Sequence, residues 1–406
     1  MPQLSYQTAG ESHGPGVYTT VQGLPSGLEV DQELIDTELR RRQGGYGRGG
    51  RQRIETDRAE FLSGVRLGHA IGSPILMCVP NRDSRLDDLK RTPPVHRPRP
   101  GHADLAGSVK WLTTDCRETL ERASARETAG RVSAGALSRC LLEAFGIEVF
   151  GFVRGALDAM SEVAPDEDNW RELRRLRDES DVYVPDEAVG ERLRASIRQA
   201  KIDKDTVGGL VEVHVFGCPI GLGSCMNWNE RLDSRIAAAV MGIQAFKAVE
   251  IGLGRECAER TGSRVHDPIA FDESRRDRPS MGFVRSSNNA GGLEGGITNG
   301  MPVVVRGTMK PISTLLRGLP SVDLNTKEAE HSQYERSDVS AISAASVVME
   351  NVVAFEIARA FRDKFSGDSM TEVREQYEAF MSRARRLPLD RPSDPSNDHE
   401  DDQARG

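Results

Sequence analysis

The chain is poor in aromatics, in paired cysteines and in long apolar runs. Phe, Trp and Tyr make up 5% of its 406 residues, which argues against a surface that stacks successive bases of a single strand. Its six cysteines (Cys78, Cys116, Cys140, Cys218, Cys225 and Cys257) are scattered and none belongs to a CxxC pair. Neither a zinc site nor a disulfide framework is suggested, and reduced, mostly buried thiols are expected. No apolar run is long enough to span a bilayer, and the opening MPQLSYQTAGESHG lacks the basic-then-apolar layout of a secretory signal. A cytoplasmic protein with no membrane association is the expectation. A positive balance is missing too: 54 Lys and Arg stand against 62 Asp and Glu, a formal charge of -8. Such a field weakly repels polyanions, so any anion site has to be a local concentration of arginine.

What is present is glycine, 40 of them, mostly in runs such as GGYGRGG and GGLEGG, which read as tight loops. Strand-like alternation occurs in VYTTVQGL, in LVEVHVFGCPIGLG and in PVVVRGTM. Between these lie helices built of small residues: ARETAGRVSAGALSRCLLEAF before Gly146, LDSRIAAAVMGIQAFKAVE from Leu232, and SDVSAISAASVVMENVVAFEIARAFRDKF before Gly367. In the last, Met349, Val353, Ile357 and Phe361 recur every four residues. Helices so rich in Ala, Gly and Ser can approach other backbones closely, which predicts a packed helical layer enclosed by sheets. A polar stretch from about Ala164 to Asp205 reads as a peripheral helix and loop region. From Leu387 the chain is Pro-, Asp- and Ser-rich with almost nothing apolar, and is expected to be a disordered acidic tail.

Six motifs carry chemistry-bearing groups. In LRRRQGGYGRGGRQR, Arg40, Arg41 and Arg42 end a helix-like stretch, so they point in different directions and about one of them faces any given site. Arg48, Arg51 and Arg53 follow on a glycine-rich loop, where bare backbone and guanidinium forks suit phosphate or carboxylate. A solvated basic loop explains this stretch alone equally well. GESHG places His13 between small residues, a candidate acid beside Ser12. It is not a GxSxG nucleophile elbow. RPRPGHADLAG holds Arg99 between prolines that stiffen it, with His102 after a glycine. ERASARETAGR brings Arg122, Arg126 and Arg131 to a helix start that Ser124 could cap, a favourable place for an anion. SNNAGGLEGGITNG leads into a strand and then Lys310, Pro311, Ile312, Ser313 and Thr314, suited to a terminal phosphate. ERSD places Arg336 and Asp338 before the long helix, where Asp338 alone would pass for a helix cap. Arginines and a lysine at five separated places, on glycine- or proline-rich loops beside acid–base groups, fit a site for one or two polyanionic small molecules.

In this combination the chain closely resembles chorismate synthase. The resemblance rests on GESHG, RRRQGGYGRGGR, RPRPGHADLAG, ERASARETAGRV, DTVGGLVEV, NNAGGLEGGITNG, MKPIST and RSDVSAISAASVVMENVV, in that order. It implies an α+β fold, a β-α-β sandwich with a helical layer between two antiparallel sheets. One such domain would span 1–386 and the tail 387–406. It implies the anti-1,4-elimination of phosphate from 5-enolpyruvylshikimate-3-phosphate to give chorismate, the last step of the shikimate pathway. Reduced FMN is required with no net redox change, NADPH serves as indirect reductant, and the assembly is a homotetramer. By the same resemblance His13 would act as acid toward the departing phosphate, His102 would sit against the flavin, and Asp338 would relay a proton through flavin N5. Ser12, Arg42, Arg48, Arg99 and Arg126 would hold substrate, with Arg42 and Arg48 also at the nicotinamide-associated site. FMN would be contacted by Arg122, Ala123, Ser124, Gln244, Ala245, Gly295, Lys310 through Thr314, and Arg336. Ala123 and Gln244 stand where relatives often carry Ser and Asn. No metal is implied.

The charges agree with this. A substrate with a phosphate and two carboxylates, beside a flavin phosphate, needs several cations if it is to be buried. Two rivals remain at this level. A flavin oxidoreductase shares the arginines but consumes nicotinamide stoichiometrically. A nucleic-acid binder using GGYGRGGR predicts steep salt dependence, which the acidic balance disfavours. No appended reductase domain is visible, so reliance on an external flavin reductase is expected.

Overall fold

A computed structural model describes residues 3–49, 56–332, 335 and 337–387. The chain begins with an antiparallel pair, β1 (Ser5–Ala9) and β2 (Gly16–Gln22). Helix α1 (Gln32–Gln43) follows, capped by Asp31, whose side chain accepts from the amide of Leu34 at 3.0 Å. Strands β3 (Glu60–Ser63) and β4 (Ile75–Pro80) complete a four-stranded antiparallel sheet in the order β1-β2-β4-β3. Two short helices, α2 (Asp104–Trp111) and α3 (Arg117–Arg122), lead into α4 (Thr128–Glu143).

The second half holds β5 (Glu148–Ala156), β6 (Ala159–Met160), α5 (Trp170–Glu179) and α6 (Glu187–Ile202). It continues with β7 (Gly209–Phe216), α7 (Leu232–Met241), β8 (Phe246–Ile251) and β9 (Val303–Met309). The strands form a five-stranded antiparallel sheet in the order β8-β9-β7-β5-β6. Helices α8 (Ile342–Lys364) and α9 (Met370–Ala384) end the described chain.

Helices α1, α4, α7 and α8 form the middle layer. Helix α4 packs on β1, β2 and β4 of the first sheet and on α8, while α8 packs on β5, β7 and β9 of the second. The expected sandwich is what the chain builds. Small side chains allow it: Ser133, Ala134 and Ala136 are fully buried, and a Cβ added at Gly135 would lie 2.2 Å from the carbonyl oxygen of Asn351 on α8. Gly135→Val therefore has no room to relax, since backbone lies opposite. It should lower the urea midpoint by the equivalent of about 1–3 kcal/mol, and an unchanged midpoint would mean that the two helices can slide apart.

Two expectations need correction. The stretch from Leu232 to Glu250 is not one helix: α7 stops at Met241, and Phe246–Ile251 is the edge strand β8. Ala245, at φ +70°, turns the chain through the left-handed region, and five of the next six residues pair with β9, Lys247 being passed over at a register shift. The polar stretch 164–205 is also less peripheral than its composition suggests, because α6 buries Val189, Leu193 and Ile197 against the core. Apart from Leu387, the expected tail lies outside the described residues. Among the described residues no helix is long and apolar enough to cross a membrane.

The three arginines that end α1 go three ways. Arg40 pairs with Glu33 at the surface. Arg41 enters a buried ion network, donating to Glu38 at 2.7 Å and to Glu350 at 2.9 Å. Arg139 and Arg177 also reach Glu350 or Glu38, at 3.1 to 3.8 Å, and Asn351 donates to Glu38 at 2.8 Å. Burial alone would raise the Glu38 carboxyl, but the charges of Arg41, Arg139 and Arg177 outweigh it and hold it well below its usual range. Arg42 turns to the site described next.

Candidate active site

His13 sits in the turn between β1 and β2. Gly10, at φ +100°, opens that turn where a Cβ would be 2.1 Å from the carbonyl oxygen of Gly16, so no other residue fits. The Glu121 carboxylate, from the last turn of α3, takes the His13 backbone N–H at 2.8 Å and faces Nδ1 at 2.9 and 3.0 Å. On the far side of the ring, Nε2 lies 3.3 Å from Arg85 Nη2 and 3.9 Å from Asp83. Burial acts to raise Glu121; the hydrogen bonds from His13, with the charge of Arg117 behind them, leave its carboxyl below the usual range. Ser124 donates to Ser12 at 3.2 Å and also caps the short 3-10 turn Ala125–Glu127 ahead of α4, accepting from the Arg126 amide. The expected Ser124 cap falls on this turn and not on α4, whose own N-cap, Glu127, makes no side-chain cap.

Beside this lies a cluster of arginines. Asp57 receives Arg42 Nη2 at 2.5 Å on one oxygen and Arg126 Nη1 at 2.6 Å on the other. Arg126 Nε donates to Asn81 at 2.6 Å, and Arg42 Nη1 to Thr128 at 3.3 Å. Burial weakens the charged form of Arg42, Asp57 restores it in part, and Arg126 and Arg48 again oppose it. The net result is a guanidinium less basic than usual, crowded by two others. Arg48 in turn donates to Asp338 at 2.7 Å, and the Gly49 amide donates to the second oxygen of Asp338 at 2.6 Å. The glycine-rich loop and the start of the long helix therefore meet. Arg51, Arg53 and Arg336 lie outside the described residues.

The second histidine has a surround of the same kind. Asp104, the first residue of α2, is fully buried. Its Oδ2 takes Arg99 Nε at 2.8 Å and the Arg99 amide at 3.0 Å; its Oδ1 takes Arg99 Nη2 at 3.0 Å and contacts His102 Nδ1. Against burial, the hydrogen bonds from His102 and Arg99 hold this carboxyl well below its usual range. Arg99 Nη1 continues to Thr314 at 2.9 Å, and Lys310 Nζ donates to the Gly101 carbonyl. The loops carrying His102 and Lys310–Thr314 are thereby joined.

Most of the residues expected to contact FMN form a contiguous chain. Arg122 donates to the Gly10 and Thr8 carbonyls, each at 2.9 Å, which fixes Ala123 and Ser124 behind it. Thr8 donates to Glu127 at 2.6 Å and Gln244 donates to Glu127 at 2.9 Å. The Ala245 carbonyl accepts from the Lys310 amide at 2.9 Å, and the Ile312 carbonyl, beyond Pro311, accepts from Thr206 at 2.7 Å. A Cβ on Gly101 would meet Ser313 at 3.4 Å. Gly295 stands apart: it turns the hairpin Leu293–Glu294 and Ile297–Thr298, and a Cβ there would meet Cys225 at 3.8 Å.

These surroundings suit anionic ligands. Arg42 Nε and Arg48 Nε are buried donors that meet no acceptor among the described residues, and Gln244 Oε1 is a buried acceptor that meets no donor. Burial, then the charge of Lys247, depresses Lys310; two ammonium groups so placed fit a phosphate. The residues present thus fit a flavin nucleotide, whose phosphate needs cations and whose ring needs polar partners. Sequence reasoning missed Asp57, Asn81, Asp83, Arg85, Asp104 and Glu121. Only Asp104 had a local signal, two residues after His102.

Comparison with known proteins adds three findings. A family model described as chorismate synthase matches residues 4–361. The chain is 50% identical over 397 residues to the chorismate synthase of Geobacter sulfurreducens, covering 94% of this chain and 99% of that one. It is 50% identical over 389 residues to that of Geotalea daltonii, covering 93% and 98%. A solved structure titled Crystal Structure of Chorismate Synthase superposes with a TM-score of 0.76 at 38% identity, covering 95% of this chain and 99% of that chain.

Proposed function

Because the chain belongs to the chorismate synthase family, we propose that it carries out that family's reaction with reduced FMN at the site built around His13, His102 and Asp338. The reaction itself is the elimination of phosphate from 5-enolpyruvylshikimate-3-phosphate to give chorismate, a carbon–oxygen lyase step that ends the shikimate pathway. The single observation that carries the reading of the site is the arginine cluster, in which Arg42 and Arg126 share Asp57 while Arg48, close enough for its charge to act on Arg42, pairs with Asp338.

In this proposal the chain's own groups divide the work. Arg42, Arg48 and Arg126 compensate substrate phosphate and carboxylates, and the spare buried Nε–H groups of Arg42 and Arg48 give those two donors beyond those spent on Asp57 and Asp338. His13 offers Nε2 to the departing phosphate, which leaves more easily when protonated or charge-compensated. Asp338 accepts from Arg48 and Gly49, and a carboxylate with two donors is the form from which a proton relay starts. Ser12, beside Ser124, is part of the substrate surface. Arg122, Ala123, Ser124, Gln244, Ala245, Lys310 through Thr314, Gly295 and Arg336 would hold FMN, with His102 beside it. When bound, reduced FMN supplies the electron density for the difficult bond cleavage without being consumed. Arg99 would hold substrate too, and its contacts with Asp104 and Thr314 let it support His102 and the Lys310 loop as well.

A cytoplasmic homotetramer, supplied with reduced flavin by an external reductase that draws on NADPH, completes the proposal. The test is anaerobic incubation of 5-enolpyruvylshikimate-3-phosphate with the protein and photoreduced FMN. Phosphate and chorismate should appear together, with flavin returned reduced. Stoichiometric flavin oxidation would refute the redox-neutral reading. A parallel incubation with NADPH and oxidised FMN should stay silent; brisk turnover there would show an intrinsic reductase.

A further inference from the structure

Both histidines are held in the same way, by carboxylates that the reaction scheme above does not use. Glu121 is 1% exposed and Asp104 is 0% exposed. Each sits on a short helix beside the other, α3 and α2, which approach closely where Gly107 leaves no room for a Cβ against Thr119. Each also has a guanidinium behind it, Arg117 at 3.5 Å for Glu121 and the two-pronged Arg99 for Asp104. A carboxylate so placed is an acceptor only, and its natural partner on an imidazole is an N–H.

For His13 a second contact fixes the tautomer independently. Arg85 Nη2 lies 3.3 Å from Nε2, and a guanidinium can only donate. Nε2 therefore accepts, and Nδ1 carries the proton toward Glu121. For His102, Nδ1 has both Asp104 Oδ1 and Arg99 Nη2 within reach, the latter at 3.0 Å. Arg99 Nη2 already has Asp104 Oδ1 as its acceptor at 3.0 Å. A lone pair on Nδ1 would face a carboxylate oxygen, whereas an N–H there makes a charge-assisted bond. The proton belongs on Nδ1 here also.

We propose that Glu121 and Asp104 are positioning residues, each fixing Nδ1 of its histidine as the donor so that Nε2 is the nitrogen brought to the reaction. They touch neither substrate nor flavin. They act by holding ring orientation and tautomer, as second partners of working histidines do elsewhere. This rests on the roles proposed above for His13 and His102 and deepens them: with Nδ1–H committed to a carboxylate, Nε2 is the nitrogen left to take up a proton, and the imidazolium so formed, stabilised by that carboxylate, gives the proton or compensates charge at Nε2.

The experiment has two arms. Nitrogen-15 NMR of histidine-labelled, ligand-free wild-type protein should show His13 and His102 protonated at Nδ1. Finding both as Nε2–H tautomers overturns the proposal, whatever any variant does. In the second arm Glu121→Gln and Asp104→Asn are assayed with photoreduced FMN, alongside Glu121→Asp and Asp104→Glu. The amide variants should lose at least about tenfold in kcat with KM changed less than about threefold, shift the tautomer signal, and keep FMN binding; the acid variants should recover part of kcat. Wild-type kcat in both amide variants, with unchanged tautomers, overturns the positioning role alone, provided His13→Ala and His102→Ala are impaired. Wild-type turnover in the histidine variants themselves overturns both this proposal and the reading it rests on.

Discussion

Replacing His102 by alanine should lower kcat by about a hundredfold or more, the usual span for a group that supplies or compensates a proton, while FMN continues to bind. The structure explains why the loss should fall on catalysis and not on folding. Asp104 keeps three donors when His102 is gone: the Arg99 amide, Nε and Nη2. No buried carboxylate is orphaned, so the usual large penalty for an unpaired charge does not arise. Lys310, Gly101 and Thr314 also keep their contacts, which preserves the loop Lys310–Thr314. The measurements are steady-state turnover with photoreduced FMN and flavin binding by fluorescence quenching. Activity within about threefold of wild type, far less than an acid–base group commands, would remove His102 from the mechanism.

Glu350→Ala should do the opposite, striking stability and sparing chemistry. Glu350 is fully buried on α8 and is approached by Arg41 at 2.9 Å and by Arg177 at 3.3 Å. Deleting it removes a buried countercharge that guanidiniums from α1 and α5 share, at a cost of about 3–5 kcal/mol. For a chain of this length that corresponds to a fall in Tm of about 5 °C, with kcat per folded molecule unchanged. Glu350→Gln keeps acceptor capacity but loses charge and should fall between. A Tm within a degree of wild type for the alanine variant would mean that Glu38 alone neutralises the network.

The layered fold was legible because its cause is local: small-residue helices flanked by alternating strands pack in few ways. The arginine run was legible to the extent that three consecutive helical residues must diverge, and Arg40, Arg41 and Arg42 do diverge. The acidic partners were not legible. Glu121 and Asp57 look like ordinary helix and loop acids in sequence, and they acquire meaning only through neighbours such as His13, 108 residues away in the chain. The break after Met241 was missed because an alanine-rich run gives no periodic signal at its end, and because Ala245 adopts a backbone conformation that composition does not announce. Membership of the family was legible from motif order alone, which is why His13, His102 and Asp338 could be named before their surroundings were known.

Helix α1 commits one arginine to solvent, one to the interior and one to the Asp57 cluster of the proposed site within a single turn. Each residue step rotates the chain by about 100°, so losing or gaining one residue between Gln32 and Arg40 would send the wrong guanidinium to every destination. Protein engineers seeking to vary this enzyme's length therefore have freedom in the segments flanking α1 but none within it, because the phase of that helix is a coordinate shared by stability and catalysis.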